Sequence, residues 1–366
     1  MPKFPPFSMP LLAASLLVGL ALPAAPAAWA QDDPREALSV VSGDTAFPLA
    51  VATAEQFSMK SNRAMPVVER LGSARAFQAF CAGQGPRFPD AATAARRMTR
   101  AELSACQRKN IAVSEARFGH QAVVLGQLPG SAPAGLSLRQ IFLALARQVP
   151  IEGRLVDNPY RLWSDIDFAL PVAPIEAYGP PPGSPLRDAF IELVMQPAAN
   201  SFSELRGWTA EQRAALAGAL RADGVFTELG EDEAETAQRL ARKPGALGIF
   251  SFNFLEQQGA RLNGLAVEGV NPRAAAIADG RYPPARPLYL YAKPGQAKDS
   301  PGLDGYLAEV LGPAASGPGG YLTARGLVPL PAGQDGGPRP PGQLAPHRPR
   351  GASGGRGVAE ASARPL

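Results

Sequence analysis

Two spacings of apolar residues alternate along this chain. Short continuous apolar runs bounded by turn residues predict buried strands, and apolar residues three and four apart predict helices with one buried face. LSVVSGDTAFPLAVATAEQF (38–57) reads as a strand, a Gly43-Asp44-Thr45 turn and a helix entered near Pro48, where a proline in the first turn loses no intrahelical bond. MPVVERLGSARAFQAFCAG (65–83) repeats that order around Gly72-Ser73. Thr99 with Glu102 and Thr209 with Gln212 have the spacing of a capping box and predict helix starts. SLRQIFLALARQV (137–149) predicts a strongly apolar helix, ARFGHQAVVLGQL (116–128) a short β-rich run, and GALGIFSF (245–252) and RPLYLYAK (286–293) buried strands. Strands alternating with helices predict an α/β fold with a mainly parallel sheet. In such sheets ligands gather at the carboxyl ends of the strands, where helix N-termini point.

The two ends of the chain depart from this pattern. Lys3, the apolar run Met9–Leu22 and Ala28-Trp29-Ala30 form the three parts of a secretion signal, predicting residues 1–30 as a signal peptide cleaved after Ala30. No cysteine near the cleavage point offers a lipid attachment, and no later stretch is apolar enough to span a membrane. From Ala332 the sequence turns Gly-, Pro- and Arg-rich and nearly free of apolar residues. Such a segment buries too little surface to offset its ordering entropy, so 332–366 reads as a disordered basic tail.

Composition then narrows the chemistry. The 366 residues are 46% hydrophobic and 19% charged, which allows a packed core, and the formal net charge of +4 is a weak hint of an anionic partner. The only histidines are His120 and His347, too few for a histidine zinc site or a Ser-His-Asp triad, and no nucleophile–base pair stands out. No catalytic residue, metal ligand or cofactor is predicted. Cys81 and Cys106 are the only cysteines. In an exported chain they form either one disulfide, worth about 3 kcal/mol for a loop of this length, or two buried thiols.

Six stretches carry a resemblance: SGDTAFPLAVATAEQF, FCAGQGPRFPD with RRMTRAELSAC, NPYRLWSDID, IEAYGPPPGSPLRDAFIELVM, KPGALGIFSFNFLE and DGRYPPARPLYLYAK. In this order they resemble the periplasmic phosphate-binding proteins (PstS-like) of phosphate ABC transporters, in the disulfide-containing branch, over about residues 39–331. The resemblance implies a type II periplasmic binding-protein fold, two α/β lobes joined by a two-strand hinge. With crossovers near 124–128 and 247–252, lobe 1 takes residues 31–125 and 250–331, and lobe 2 takes 126–249. It also implies a Cys81–Cys106 bond, a non-enzymatic monomer in the periplasm, phosphate or a related oxyanion as ligand, a membrane permease as partner, and no role for nucleic acid.

Ligand residues carry over one at a time. Thr45 and Phe47 fit the first turn, with Asp44 where the family has serine; Ser73 fits the second, with Ala74-Arg75-Ala76 in place of glycines. Arg96 is kept, but Ala95 replaces a hydroxyl. Ser184 and Arg187 are kept around Pro185 and Leu186, where the family has Gly and Thr. The expected ligand set is therefore Thr45, Phe47, Ser73, Arg96, Ser184 and Arg187, with about three donors to an anion missing. At roughly 1.5–3 kcal/mol each, that loss rivals the ~8 kcal/mol of a micromolar complex. An alternative expectation follows: a degenerate binding protein that has lost phosphate and acts as an envelope interaction or scaffold protein.

Overall fold

The computed structural model describes residues 36–331 and 337–341. The predicted signal peptide and most of the predicted tail lie outside the described residues. Three strand–turn–helix repeats open the fold: β1 (Ser39–Ser42) with α1 (Phe47–Ser61), β2 (Val67–Arg70) with α2 (Ser73–Phe80), and β3 (Ala91–Ala94) with α3 (Arg100–Arg108). Each helix start follows from local chemistry. Pro48 sits in the first turn of α1, Gly72 takes φ 74° to swing the chain into α2, and Thr99 and Glu102 cap α3 reciprocally as their spacing predicts.

The long strand β4 (Ser114–Gln127) then leads into a second set of elements. These are β5 (Gly135–Leu136), α4 (Leu138–Leu145), the hairpin β6–β7 (Gln148–Ile151, Arg154–Asp157), the single turn α5 (Trp163–Ile166) and β8 (Ala177–Gly179). The helix α6 (Pro185–Phe190) runs through a π-helical stretch, Ile191–Met195, into α7 (Gln196–Ser201). Next come α8 (Ala210–Gly218), β9 (Phe226–Glu228), α9 (Glu233–Arg242), β10 (Leu247–Ser251), α10 (Phe252–Gln258), β11 (Asn263–Gly264), β12 (Ala266–Val267) and α11 (Ala274–Ala278). The chain ends this circuit with β13 (Ala285–Ala292) and α12 (Leu303–Leu311). The apolar run at 137–149 is shorter as a helix than its pattern suggests: α4 stops at Leu145, and Pro150, which disfavours helix at the residue before it, sits in β6.

The main sheet runs β2-β1-β3-β13-β4-β10-β8-β9. It is mixed rather than mainly parallel. The outer pairs β1–β2, β1–β3, β8–β10 and β8–β9 are parallel, whereas β3–β13, β13–β4 and β4–β10 are antiparallel. The centre is antiparallel because β13 returns from the far side and slots between β3 and β4. The strand β4 serves two sub-sheets: residues 114–122 pair with β13, and 123–126 pair with β10. After β10 the chain continues through residues 252–282. Phe252, Leu255, Leu265, Ile277 and Tyr282 pack in the core of the second set, and β11 pairs with the end of β4. The stretch 279–285 then leads into β13.

Period-two alternation builds the core of the first set. Val40, Leu288 and Leu290 face Phe57 and Tyr306 on one side, while Val41, Tyr289 and Tyr291 face Phe77 and Phe80 on the other. Cys81, at the end of α2, is bonded to Cys106 of α3 and ties the two helices together. The described part of the predicted tail touches the fold: the backbone of Arg339 exchanges two hydrogen bonds with Glu115 of β4, at 2.7 and 2.9 Å. A segment poor in apolar residues still finds backbone partners on an open strand edge.

Candidate functional site

The carboxyl end of β1 delivers the Gly43–Ala46 turn beside the start of α2. A Cβ on Gly43 would lie 2.6 Å from the Ser73 hydroxyl oxygen, so glycine here leaves Ser73 its present rotamer as the two turns meet. Thr45 and Phe47 enter here, both half-buried, with Ser73 alongside. The carboxylate of Asp44, which stands where the family has serine, has a counter-charge: Arg70 Nε donates to it at 2.9 Å, and Arg70 also lies 3.9 Å from Asp188 on α6.

Across from this turn, Arg286 is the second residue of β13 and is only 9% exposed. Strand register sets it opposite Gln121 of β4, and its Nη2 and Nε donate to Gln121 Oε1 at 3.2 and 3.4 Å. The same guanidinium donates to the Thr45 hydroxyl and grips both carboxylate oxygens of Glu192, one of them at 2.9 Å. Thr45 in turn donates to Glu192 at 3.2 Å. Thr45, Gln121 and Arg286 belong to the first set of elements, and Glu192 belongs to the π-helical stretch of the second. A planar fork, a hydroxyl and a carboxylate therefore meet where the two sets face each other. Fork geometry of this kind suits any planar or tetrahedral oxyanion.

The remaining expected residues divide. Ser184, 1% exposed, caps α6 by accepting from Arg187 N at 3.1 Å. It lines a cavity of about 270 Å³ together with Leu186, Gln121, Glu233, Ser251 and Asn253. A second cavity, about 560 Å³, runs along the other flank of α6 past Asp44, Arg70, Arg187, Asp188 and Glu192. Arg187 lines it but is 5% exposed and already engaged: its guanidinium donates to Pro180 O at 3.1 Å, meets Glu228 at 3.4 Å and lies over the Phe226 ring. Burial lowers its pKa from the ordinary arginine value. Arg96 is committed elsewhere. It forms two hydrogen bonds of 2.8 and 2.7 Å to Glu102, the same residue that closes the α3 capping box, and stacks on Phe77. The bond to Glu102 raises its pKa. His120 is fully buried on β4 with its backbone paired to Val328.

The structure thus groups Thr45 with Phe47 and Ser73 at one turn, sets Ser184 and Arg187 on the opposing helix, and leaves Arg96 in a local pair. Sequence reasoning overlooked Arg286 and Glu192. A charged residue opening a buried strand, Arg286 before PLYLYA, was the one signal available. Glu233 is a further buried acid near Ser184. Its carboxylate accepts from Ser251 N and Oγ at 2.6 and 2.8 Å, and burial pushes its pKa up.

Two α/β sets sharing one sheet through β4, with charged and hydroxyl groups converging between them, define a bilobal solute-binding protein of the type II periplasmic binding-protein fold. The chain belongs to the PBP superfamily, whose domain matches residues 27–314. It is 26% identical to protein SphX of Synechococcus elongatus over 273 residues, 72% of this chain and 70% of that protein. Among solved structures it is similar to a possible phosphate binding protein from Planctomyces limnophilus, with a TM-score of 0.61 and 21% identity over 81% of this chain and 93% of that one. It is also similar to PstS from Borrelia burgdorferi, with a TM-score of 0.54 and 13% identity over 81% of this chain and all of that one. No helix among the described residues is long and apolar enough to cross a membrane.

Proposed function

We propose that this chain is the exported solute receptor of a phosphate-type ABC uptake system, released from its signal peptide after Ala30, and that it holds phosphate or a related oxyanion between its two lobes. One observation carries the reading: a nearly buried arginine, Arg286, converges with the Thr45 hydroxyl at the junction of the two sets of elements and grips a carboxylate there. The phosphate-binding proteins it resembles in fold lend support. Ser73 and Ser184 add hydroxyls to the same cleft, Phe47 walls it, and Arg187 stiffens the helix that forms its far side. Arg96 contributes by holding α3 in place.

The lobes hinge where β4 changes partner between Ala122 and Val123, and where the chain returns near residues 279–285. Closure about that hinge creates the face that a membrane permease reads, and the receptor works as a monomer. A melting experiment on the mature protein, stripped of co-purified ligand, tests the reading. An oxyanion at a thousand times its dissociation constant adds about 4 kcal/mol of stability, a rise of roughly 6 °C for a chain of this size. A flat response to phosphate, arsenate and sulfate alike contradicts the proposal.

A further inference from the structure

Glu192 enters the Arg286–Thr45 cluster from the opposing set of elements, and what it does there resembles what a ligand does. Both of its carboxylate oxygens face the Arg286 fork, and one also accepts from the Thr45 hydroxyl. The two partners differ in burial: the Glu192 side chain is 46% exposed, the Arg286 side chain 11%. The arginine is fixed, held from behind by Gln121, while the carboxylate reaches in from the solvent side. It does so from the π-helical stretch Ile191–Met195, whose wider turn changes the direction in which successive side chains leave the helix. The adjoining cavity of about 560 Å³, lined by Asp44, Arg70, Asp188 and Glu192, leaves room for the side chain to swing away.

We infer that Arg286, Thr45 and Gln121 form the oxyanion seat, and that Glu192 is an internal carboxylate that occupies this seat in the empty protein and must be displaced by the ligand. The inference rests on the function proposed above and names the residues that carry it out. Glu192 spans the cleft in the ligand's absence and latches the two lobes together. An incoming oxyanion takes over the fork and the hydroxyl, and its apparent affinity is reduced by the fraction of molecules already latched. The latch also sets a threshold: only an anion that offers the fork more than one carboxylate does will enter.

Equilibrium dialysis with radiolabelled inorganic phosphate, on refolded wild type, Glu192→Ala and Glu192→Ala with Arg286→Ala, tests this. Circular dichroism verifies the fold of each, and Arg286→Lys, which keeps the charge but not the fork, replaces Arg286→Ala if the latter does not fold. Removing the latch is expected to tighten phosphate binding about tenfold, and the Arg286 change in that background to abolish the gain. A Glu192→Ala protein that binds less than about threefold tighter than wild type overturns the latch. Binding that survives loss of the Arg286 fork overturns the seat. If neither wild type nor Glu192→Ala takes up phosphate, arsenate or sulfate, the proposed function falls and the latch with it; equal, measurable binding in both removes the latch alone.

Discussion

The start of α6 offers a gain-of-function experiment. Ser184 caps the helix, and its oxygen already accepts from Arg187 N at 3.1 Å, leaving its own proton to donate into the cleft. The next two positions give an anion little: Pro185 has no N–H, and Leu186 has no hydroxyl. Changing Pro185→Gly and Leu186→Thr together adds one backbone and one side-chain donor at the wall of the cavity that Ser184 and Leu186 line. A hydrogen bond to a charged partner contributes about 1.5–3 kcal/mol, so one well-aimed donor amounts to roughly a tenfold gain in affinity, and two to about a hundredfold or more. The change also has a cost. Leu186 packs against the core of the second set, and replacing it with threonine loses about 1–2 kcal/mol of apolar burial. Glycine for Pro185 frees the unfolded chain by a further ~0.5–1 kcal/mol. The double variant should therefore melt several degrees lower without ligand yet bind phosphate at least about tenfold tighter by titration calorimetry. A lower melting temperature with affinity within twofold of wild type would show that α6 does not point its N-terminus at the ligand, and would refute the reasoning.

Other outcomes are equally specific. Arg96→Ala should lower stability by about 1–2 kcal/mol in denaturant melts by breaking the bidentate pair with Glu102, while phosphate affinity stays within twofold; a large loss of affinity would return Arg96 to the ligand set. Asp223 is held down to about 2, chiefly by its hydrogen bond from the buried Arg221. Because its folded value lies below its unfolded one, its contribution is present above pH 4 or so and is lost as pH falls toward 2. Asp223→Asn should then cost about 1 kcal/mol at pH 7, discounted for the carboxylate's partial exposure, and progressively less in acid; a cost that is independent of pH counts against the pair. Reducing Cys81–Cys106 should remove about 3 kcal/mol, seen as a drop of roughly 4 °C in melting temperature. Phe142→Ala, at a fully buried position beside Phe202, should cost about 3–5 kcal/mol in the same assay.

Local chemistry was legible in the sequence, and tertiary approach was not. Thr99 with Glu102 and Thr209 with Gln212 form the capping boxes their spacing predicts, because every partner lies within one turn. The strand–turn–helix order around Gly43 and Gly72 was equally readable. The extent of β4 was nearly right, read at 116–128 and found at Ser114–Gln127, but the partners of its polar residues Glu115 and Gln121 were not legible. Some of their partners, Tyr291 and Arg286, arrive from β13 some 170 residues later. The cluster at the junction was hidden for the same reason. Arg286 and Glu192 are 94 positions apart, and nothing local marks either as facing the other. Arg96 shows the other side of this: its match to a family arginine was legible in the sequence, but its pairing with a glutamate six positions on was not.

The most direct test of the account is the position of the anion itself. Crystals of the mature protein grown with arsenate, measured at the arsenic absorption edge, would reveal the bound atom by anomalous scattering. The account predicts one arsenic per chain between the lobes, within hydrogen-bonding reach of Arg286 and Thr45, with the Glu192 side chain moved aside. An arsenic-free cleft with Glu192 still on Arg286, or an anion bound only on the outer surface, would contradict it.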